Sequence, residues 1–247
     1  MQREYWERMA HSYEDEIFDV RKNDRRKHIT KAILELASPE KTVIDIGCAV
    51  GKWLPLLSPA YKEVIALDIS QKNLDIAKKL YPELKNIKYV RVDMSGSTKL
   101  KRADVGICIN AILTPKQRDR DIFFRGLNTS LKKGGHIILT IPSLESWLLT
   151  NILQQKYKID PGHFKAEKNG KEAIRKWNNI RQGNADIDDV PHKHYLQEEL
   201  DLLMRREGFT DLHFEKIEYD WSTEFHKAPK WLKEPRPWDW MVVGRKV

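Results

Sequence analysis

The chain has 247 residues, 40% of them apolar and 32% charged, enough apolar material to bury a core and too much for a wholly disordered chain. No run approaches the ~18 consecutive apolar residues of a membrane span, and the charged start Met1-Gln2-Arg3-Glu4 lacks the apolar stretch of a secretory leader. The formal charge of +8 resides in residues 1–142, which hold 26 basic and 18 acidic side chains, whereas residues 143–247 hold 18 of each.

Taken in chain order, the basic cluster Arg21, Lys22, Arg25, Arg26, Lys27 and Lys31 precedes an amphipathic helix over 29–37, with Ile29, Ile33 and Leu36 facing inward. Without aromatic or glycine residues interleaved, the cluster reads as a solvated helix face and gives nucleic acid no support. Residues 42–46 form a short buried strand closed by Gly47, and Lys52 to Leu57 a helical turn or two. Residues 63–68 are a second strand; Ser70 caps a helix with Leu74, Ala77, Leu80 and Tyr81 inward, stopped by Pro82. Strands follow at 86–92 and 103–109. Thr114-Pro115 reads as N-cap and first residue of a helix running to Leu131, and Gly134-Gly135 turn into a strand over 136–141. Strands separated by helices in this way predict a doubly wound, parallel α/β sheet, which binds ligands at the carboxyl ends of its strands.

The rhythm breaks over 143–191, where helices at 144–155 and 171–180 are followed by a polar loop from Arg181 to Asp189; this reads as an insertion too small for its own core. A helix with Leu196, Leu200, Leu203 and Met204 inward ends at Gly208, and 209–219 and 238–245 make an antiparallel, hairpin-like pair. Cys48 and Cys108 sit in apolar, strand-like surroundings and read as reduced thiols of a cytoplasmic protein. No Cys/His spacing or carboxylate cluster suits a metal, so the sites are expected to be metal-free.

The chemistry gathers at strand ends. Asp45-Ile46-Gly47-Cys48-Ala49-Val50-Gly51 follows a strand, and its small residues let a ligand approach the backbone. The dinucleotide fingerprint needs G-x-G-x-x-G, whereas this loop reads G-x-A-x-G, and Asp45 favours a cationic ligand over a pyrophosphate. Asp68 ends the next strand, placed for two ribose hydroxyls. Asp93 is placed for an exocyclic adenine amine with Met94 packed on the ring, and Asn110 lies at the mouth of the fourth strand. Four polar groups at four successive strand ends favour a nucleoside site.

On these residues the sequence resembles the class I S-adenosylmethionine-dependent methyltransferases. Asp45 to Gly51 resembles their glycine-rich first motif with Ala49 for the middle glycine, Glu63 to Ser70 the ribose motif, Val92-Asp93-Met94 the adenine motif, and Leu131 to His136 the entry to strand five. Tyr195 to Leu200 with Glu207-Gly208-Phe209 is similar to the helix before strand six. Tyr5-Trp6-Glu7-Arg8 to Tyr13 resembles the N-terminal lid helix of the small-molecule branch, which includes quinone-biosynthesis enzymes. The resemblance covers residues 40–142 and 192–219. It implies one Rossmann-like domain over 1–247, with a seven-stranded sheet whose last strand is antiparallel, a lid over 1–23 and a substrate cover over 143–191.

The resemblance also implies S-adenosylmethionine as cofactor, with S-adenosylhomocysteine as product. Gly47 and Gly51 would line its methionine part, with Asp45 holding the ammonium directly or through water; Asp68 would hold the ribose, Asp93 and Met94 the adenine, and Asn110 would lie near the methionine moiety, with Ala49 and Ile69 among the cofactor-binding residues. Ala49 suits the motif if its φ is negative. Methyl transfer needs alignment of a nucleophile above all, and a base only where a proton leaves early. His192, His194 and Tyr195 are the weak candidates, with His163 in the insertion; His192 and His194 read first as exposed loop residues. Trp177, Trp221, Trp231, Trp238 and Trp240 are placed for packing or an aromatic wall. The expected acceptor is a small molecule. The alternatives are RNA or protein as acceptor, or a cofactor-binding module without turnover; a nicotinamide dehydrogenase fits the loop poorly.

Overall fold

The computed structural model describes residue 7 and residues 19–96, 100–161, 170–187 and 190–247. Apart from Glu7 and its last residues, the expected lid over 1–23 falls outside the described residues, as does His163.

A helical turn, α1 (Val20–Asn23), leads through a buried Asp24 into α2 (His28–Leu36). The Asp24 carboxylate accepts from the His28 and Ile29 N–H groups at 3.1 and 3.0 Å, satisfying donors that the helix start leaves free. Ile29, Ala32 and Ile33 are buried at helical spacing. Arg25 and Arg26 stand in the turn before this helix, and Arg26 pairs with Glu218 at 2.9 Å.

The strands β1 (Ser38–Ile46), β2 (Tyr61–Asp68), β3 (Ile87–Arg91), β4 (Ala103–Ile109) and β5 (Leu131–Pro142) alternate with α3 (Leu54–Ala60), α4 (Gln71–Leu80) and α5 (Gln117–Thr129). Ser70 caps α4 as expected, its hydroxyl accepting from Asn73 N–H at 3.2 Å, and Leu74 and Ala77 are buried, while Leu80 is half exposed. Thr114-Pro115 does not begin α5: the Thr114 hydroxyl closes a turn onto Lys116 N–H, and the helix starts at Gln117 with Lys116 as its cap residue. The proline's fixed φ, which suits a helix start, here serves the connection before one.

Beyond β5 come α6 (Leu144–Tyr157), α7 (Gly170–Arg181), a small antiparallel pair β6 (Asn184–Ile187) and β7 (Val190–Lys193), and α8 (Gln197–Arg206), then β8 (Phe209–Glu218) and β9 (Trp238–Lys246). The antiparallel pair β6–β7 corrects the loop expected from Arg181 to Asp189: residues 184–187 are extended and pair with 190–193. The main sheet runs β3-β2-β1-β4-β5-β9-β8. Its first five strands pair in parallel, and β9 lies antiparallel between β5 and β8. This is the expected seven-stranded, doubly wound Rossmann-like sheet with an antiparallel last strand.

One face of the sheet packs Phe123, Phe124 and Leu127 of α5 with Leu200 and Met204 of α8; the other packs Ile29, Ile33, Leu57, Leu74 and Ala77. A third cluster, Ile159, Trp221, Phe225 and Leu232, holds the segment between β8 and β9. The helix α7 buries no residue, and its Ile174 and Trp177 are exposed. Chain order reverses between β1 and β4, so the crevice of the fold opens above their carboxyl ends.

Candidate functional site

At that crevice lies a cleft that opens to solvent. Its walls come from four successive strand ends: Gly47 and Ala49 after β1, Leu67, Asp68 and Ile69 at β2, Val92 and Met94 after β3, and Ile109, Asn110 and Ala111 after β4, with Asn73 and Phe123 from the helices.

The loop after β1 folds back on β2, both Gly47 N–H and Cys48 N–H donating to Leu67 C=O at 2.8 Å. Gly47 has φ +77°, and a Cβ there would stand 2.5 Å from the Ala111 Cβ, so only glycine lets the two loops meet. Ala49 takes φ +48°, the left-handed conformation, and not the negative φ that the sequence reading required. The reason is visible in its N–H, which that conformation aims at Asp68 Oδ2, 2.9 Å away.

Asp68 is held on both oxygens, Oδ1 accepting from Ser70 N–H at 2.8 Å and Asn73 Nδ2 at 3.3 Å. Burial pushes its pKa up, against the pull of these bonds, yet each carboxylate oxygen keeps acceptor capacity toward the cleft. Asp45 is the extreme case: 2% exposed, with Oδ2 buried and without a hydrogen-bond partner. Burial, and then the nearby charge of Asp68, pushes its pKa up to about 8. Both cysteines are free and buried, and burial pushes both thiols up.

Of the expected contact residues, Gly47, Ala49, Asp68, Ile69, Met94 and Asn110 line the cleft, whereas Asp45, Gly51 and Asp93 do not. Asp45 stands behind the wall on β1. Gly51 (φ +83°) packs where a Cβ would meet Leu54 and Ala77, serving the approach of α3 and α4. Asp93 turns its Oδ1 to the N–H and hydroxyl of Ser95, at 2.9 and 2.6 Å, and closes the turn after β3. The spacing located these acids at strand ends without revealing which way each side chain is claimed by its own turn. Ala111, Phe123 and Asn73 were not singled out; Phe123 had a signal in the inward face of α5, and Ala111 in being the small residue next to Asn110.

The residues weighed as bases lie elsewhere. His194, expected to be exposed, is buried; its Nδ1 lies 3.1 Å from the His192 carbonyl, and burial pulls its pKa down to about 4. Tyr195 is wholly buried against Phe124 with its hydroxyl unpartnered, and burial raises its pKa far beyond the ordinary range. Backbone bonds draw this stretch inward: Lys193 N–H to Leu113 C=O and Tyr195 N–H to Pro142 C=O. None of His192, His194 and Tyr195 lines the cleft. Trp221, Trp238 and Trp240 are packing residues, while Trp177 and Trp231 are exposed.

Comparison with known proteins agrees with this fold. Residues 7–213 match the family model described as a methyltransferase domain. No curated protein matches the chain. Among solved structures, the chain is similar to the N-methyltransferase NodS of Bradyrhizobium japonicum WM9 bound to S-adenosylhomocysteine (12% identity, TM-score 0.63, 98% of this chain and 97% of that one). It is also similar to a SAM-dependent methyltransferase of Methanosarcina mazei (15%, 0.61, 87% and 97%). A third is the 1,6-didemethyltoxoflavin-N1-methyltransferase of Burkholderia thailandensis with 1,6-didemethyltoxoflavin and S-adenosylhomocysteine bound (14%, 0.62, 99% and 87%).

Proposed function

The chain belongs to the methyltransferase-domain family, and from that premise we propose that its cleft binds S-adenosylmethionine and that the protein transfers the methyl group to a small-molecule acceptor. The observation that carries the reading is the bolted carboxylate of Asp68, aimed by Ala49, Ser70 and Asn73 at the rim of a cleft whose far wall is apolar. Such a wall suits a nucleoside: Asp68 accepts from ribose hydroxyls, and Val92, Met94, Ile69 and Phe123 sandwich a flat base.

The rest of the cleft fits an amino-acid arm. The Gly47–Ala111 approach leaves bare backbone on the floor, and Asp45 behind it holds a buried oxygen with no partner. A cationic group in the cleft lowers the cost of ionising that acid. Bound S-adenosylmethionine supplies a methyl group already activated by its sulfonium, for in-line displacement. The chain's own part is to orient and to exclude water. On this reading the elements after β5, among them α6 and the pair β6–β7, serve as the acceptor's cover. No side chain is assigned as a general base.

A small acceptor is favoured over a polymer by the state of the basic residues. Arg25 and Arg26 pair with Asp220 and Glu218, Lys88 and Lys101 with Glu63, and Lys132 with Asp104. The 1,6-didemethyltoxoflavin-N1-methyltransferase, similar in fold, holds 1,6-didemethyltoxoflavin together with S-adenosylhomocysteine.

The test is calorimetric titration with S-adenosylmethionine and S-adenosylhomocysteine. Micromolar binding is expected, weakened at least tenfold by Asp68→Ala, about 1.4 kcal/mol. No binding by the intact protein sinks the reading of the whole cleft.

A further inference from the structure

We propose that Asp239 and Tyr219 are positioning residues for Asn110, holding its side-chain amide so that the carbonyl oxygen is presented to a hydrogen-bond donor of the ligand in the cleft. Asn110 follows β4 with φ +48°, a left-handed conformation that asparagine tolerates, and its backbone N–H is tied to Thr140 C=O at 2.9 Å. Its Nδ2 donates to Asp239 Oδ2 at 2.8 Å, and the Tyr219 hydroxyl donates to the same oxygen at 2.7 Å. Both partners are buried. Three strand ends are thereby joined: β4, β9, and the residue just past β8, with Asp239 standing opposite Pro142 of β5.

A carboxylate only accepts hydrogen bonds, so Asp239 fixes which end of the amide faces it. The nitrogen turns to Asp239 and the oxygen away from it. That oxygen is buried, has no hydrogen-bond partner, and belongs to a residue of the cleft wall. A buried acceptor without a donor is costly, and a ligand N–H or O–H removes the cost. Asn110 was read from the sequence as a cleft residue; Tyr219 and Asp239 lie past residue 213, where the family match ends. The acceptor-bearing wall of the cleft is set by the C-terminal strands.

This inference rests on the ligand assigned to the cleft, and its test separates the two. S-adenosylhomocysteine is titrated into the wild type, N110A, D239N, Y219F and the double variant N110A/D239N. N110A and D239N are each expected to weaken binding about tenfold and Y219F about threefold, with the double variant no weaker than N110A, because Asp239 acts only through Asn110. In parallel, the Asn110 side-chain amide signals, assigned by their loss in N110A, are followed by nitrogen-15 NMR in the ligand-free protein. They are expected to shift in D239N and in Y219F. Signals that stay in place, or a D239N loss of the same size in the N110A background, overturn the proposal. Should D239N not fold, Y219F decides by the same signals. Wild-type protein that fails to bind S-adenosylhomocysteine refutes the cofactor reading, while the NMR arm still decides the positioning role.

Discussion

Asp68 and Asp239 are both buried carboxylates at the carboxyl edge of one sheet, yet they are held by different kinds of contact. The groups that fix Asp68 stand 19, 2 and 5 residues away along the chain. Those that fix Asp239 stand 129 and 20 residues away. The contrast extends to the surroundings. The β1–β3 side is built from strand–turn–helix units in which loop and strand end are neighbours in sequence. On the β5–β9–β8 side, Trp238 N–H bonds the Ser146 hydroxyl and Trp240 Nε1 bonds Glu145 across 92 and 95 residues, at 2.8 and 3.0 Å. Two regions of one edge are thus held differently: the β1–β3 side by bonds between near neighbours in sequence, the β5–β9–β8 side by chain-spanning bonds.

The cluster between β8 and β9, which contributes no residue to the cleft, is predicted to respond to mutation independently of the β1–β3 side. The largest effect is expected from Trp221→Ala, which empties the centre of the Ile159–Phe225–Leu232 cluster, where Trp221 stacks on Phe225 at 5.5 Å. Stability should fall by about 3–5 kcal/mol in denaturant titration, with the S-adenosylhomocysteine dissociation constant at 20 °C unchanged. Coupled loss of affinity would show that the two sides are one unit.

Next comes Gly47→Ala. Its Cβ would press on Ala111 from 2.5 Å at φ +77°, and both loops would have to part. About a hundredfold loss of affinity, ~2.7 kcal/mol, is expected by calorimetry. Gly134→Ala is the control: φ is +75° but nothing lies within 4 Å. It should lower stability by about 1 kcal/mol and leave binding alone.

A smaller effect, of opposite sign, is expected from Asp45→Asn. The folded pKa of Asp45, about 8, lies above the 3.8 of an ordinary aspartate, so the folded chain holds the proton more firmly than the unfolded one. The contribution is intact below about pH 4 and is lost as pH rises toward 8. Ligand-free Asp45→Asn should therefore melt higher than wild type at pH 8, by on the order of 5 °C, with the gap closing toward pH 4. A gap that grows on acidification would refute the burial argument. The same change should weaken S-adenosylhomocysteine binding.

The smallest effect belongs to Ala49→Gly. Glycine reaches φ +48° without the Cβ conflict, so a gain of about 0.5–1 kcal/mol in stability is expected. Binding should hold, because the N–H to Asp68 is kept.

Much of the β1–β3 side is legible in the sequence. Alternating strands and helices, small residues after β1, the acid ending β2 and the Ser70 cap are all short-range patterns, and the sheet placed them as read. Less legible was where each polar side chain turns. Asp93 is claimed by Ser95 and Asp45 lies behind the wall, because strand-end position and side-chain direction are separate facts. On the β5–β9–β8 side, residues 184–187 of the expected loop pair with 190–193, and His194, expected to be exposed, is buried where backbone bonds tie its stretch to Leu113, Gly183 and Pro142.

The sequence by itself determined the fold class, the order and hand-over of strands and helices, and the residue types at the strand ends, because period, capping and turn chemistry act within a few residues. The tertiary structure alone decided that Ala49 adopts a left-handed turn to reach Asp68, that Tyr195 is core, and that Asp239 and Tyr219 stand behind Asn110. Those outcomes depend on which distant strands become neighbours, and pairing across 129 residues leaves no periodic trace along the chain.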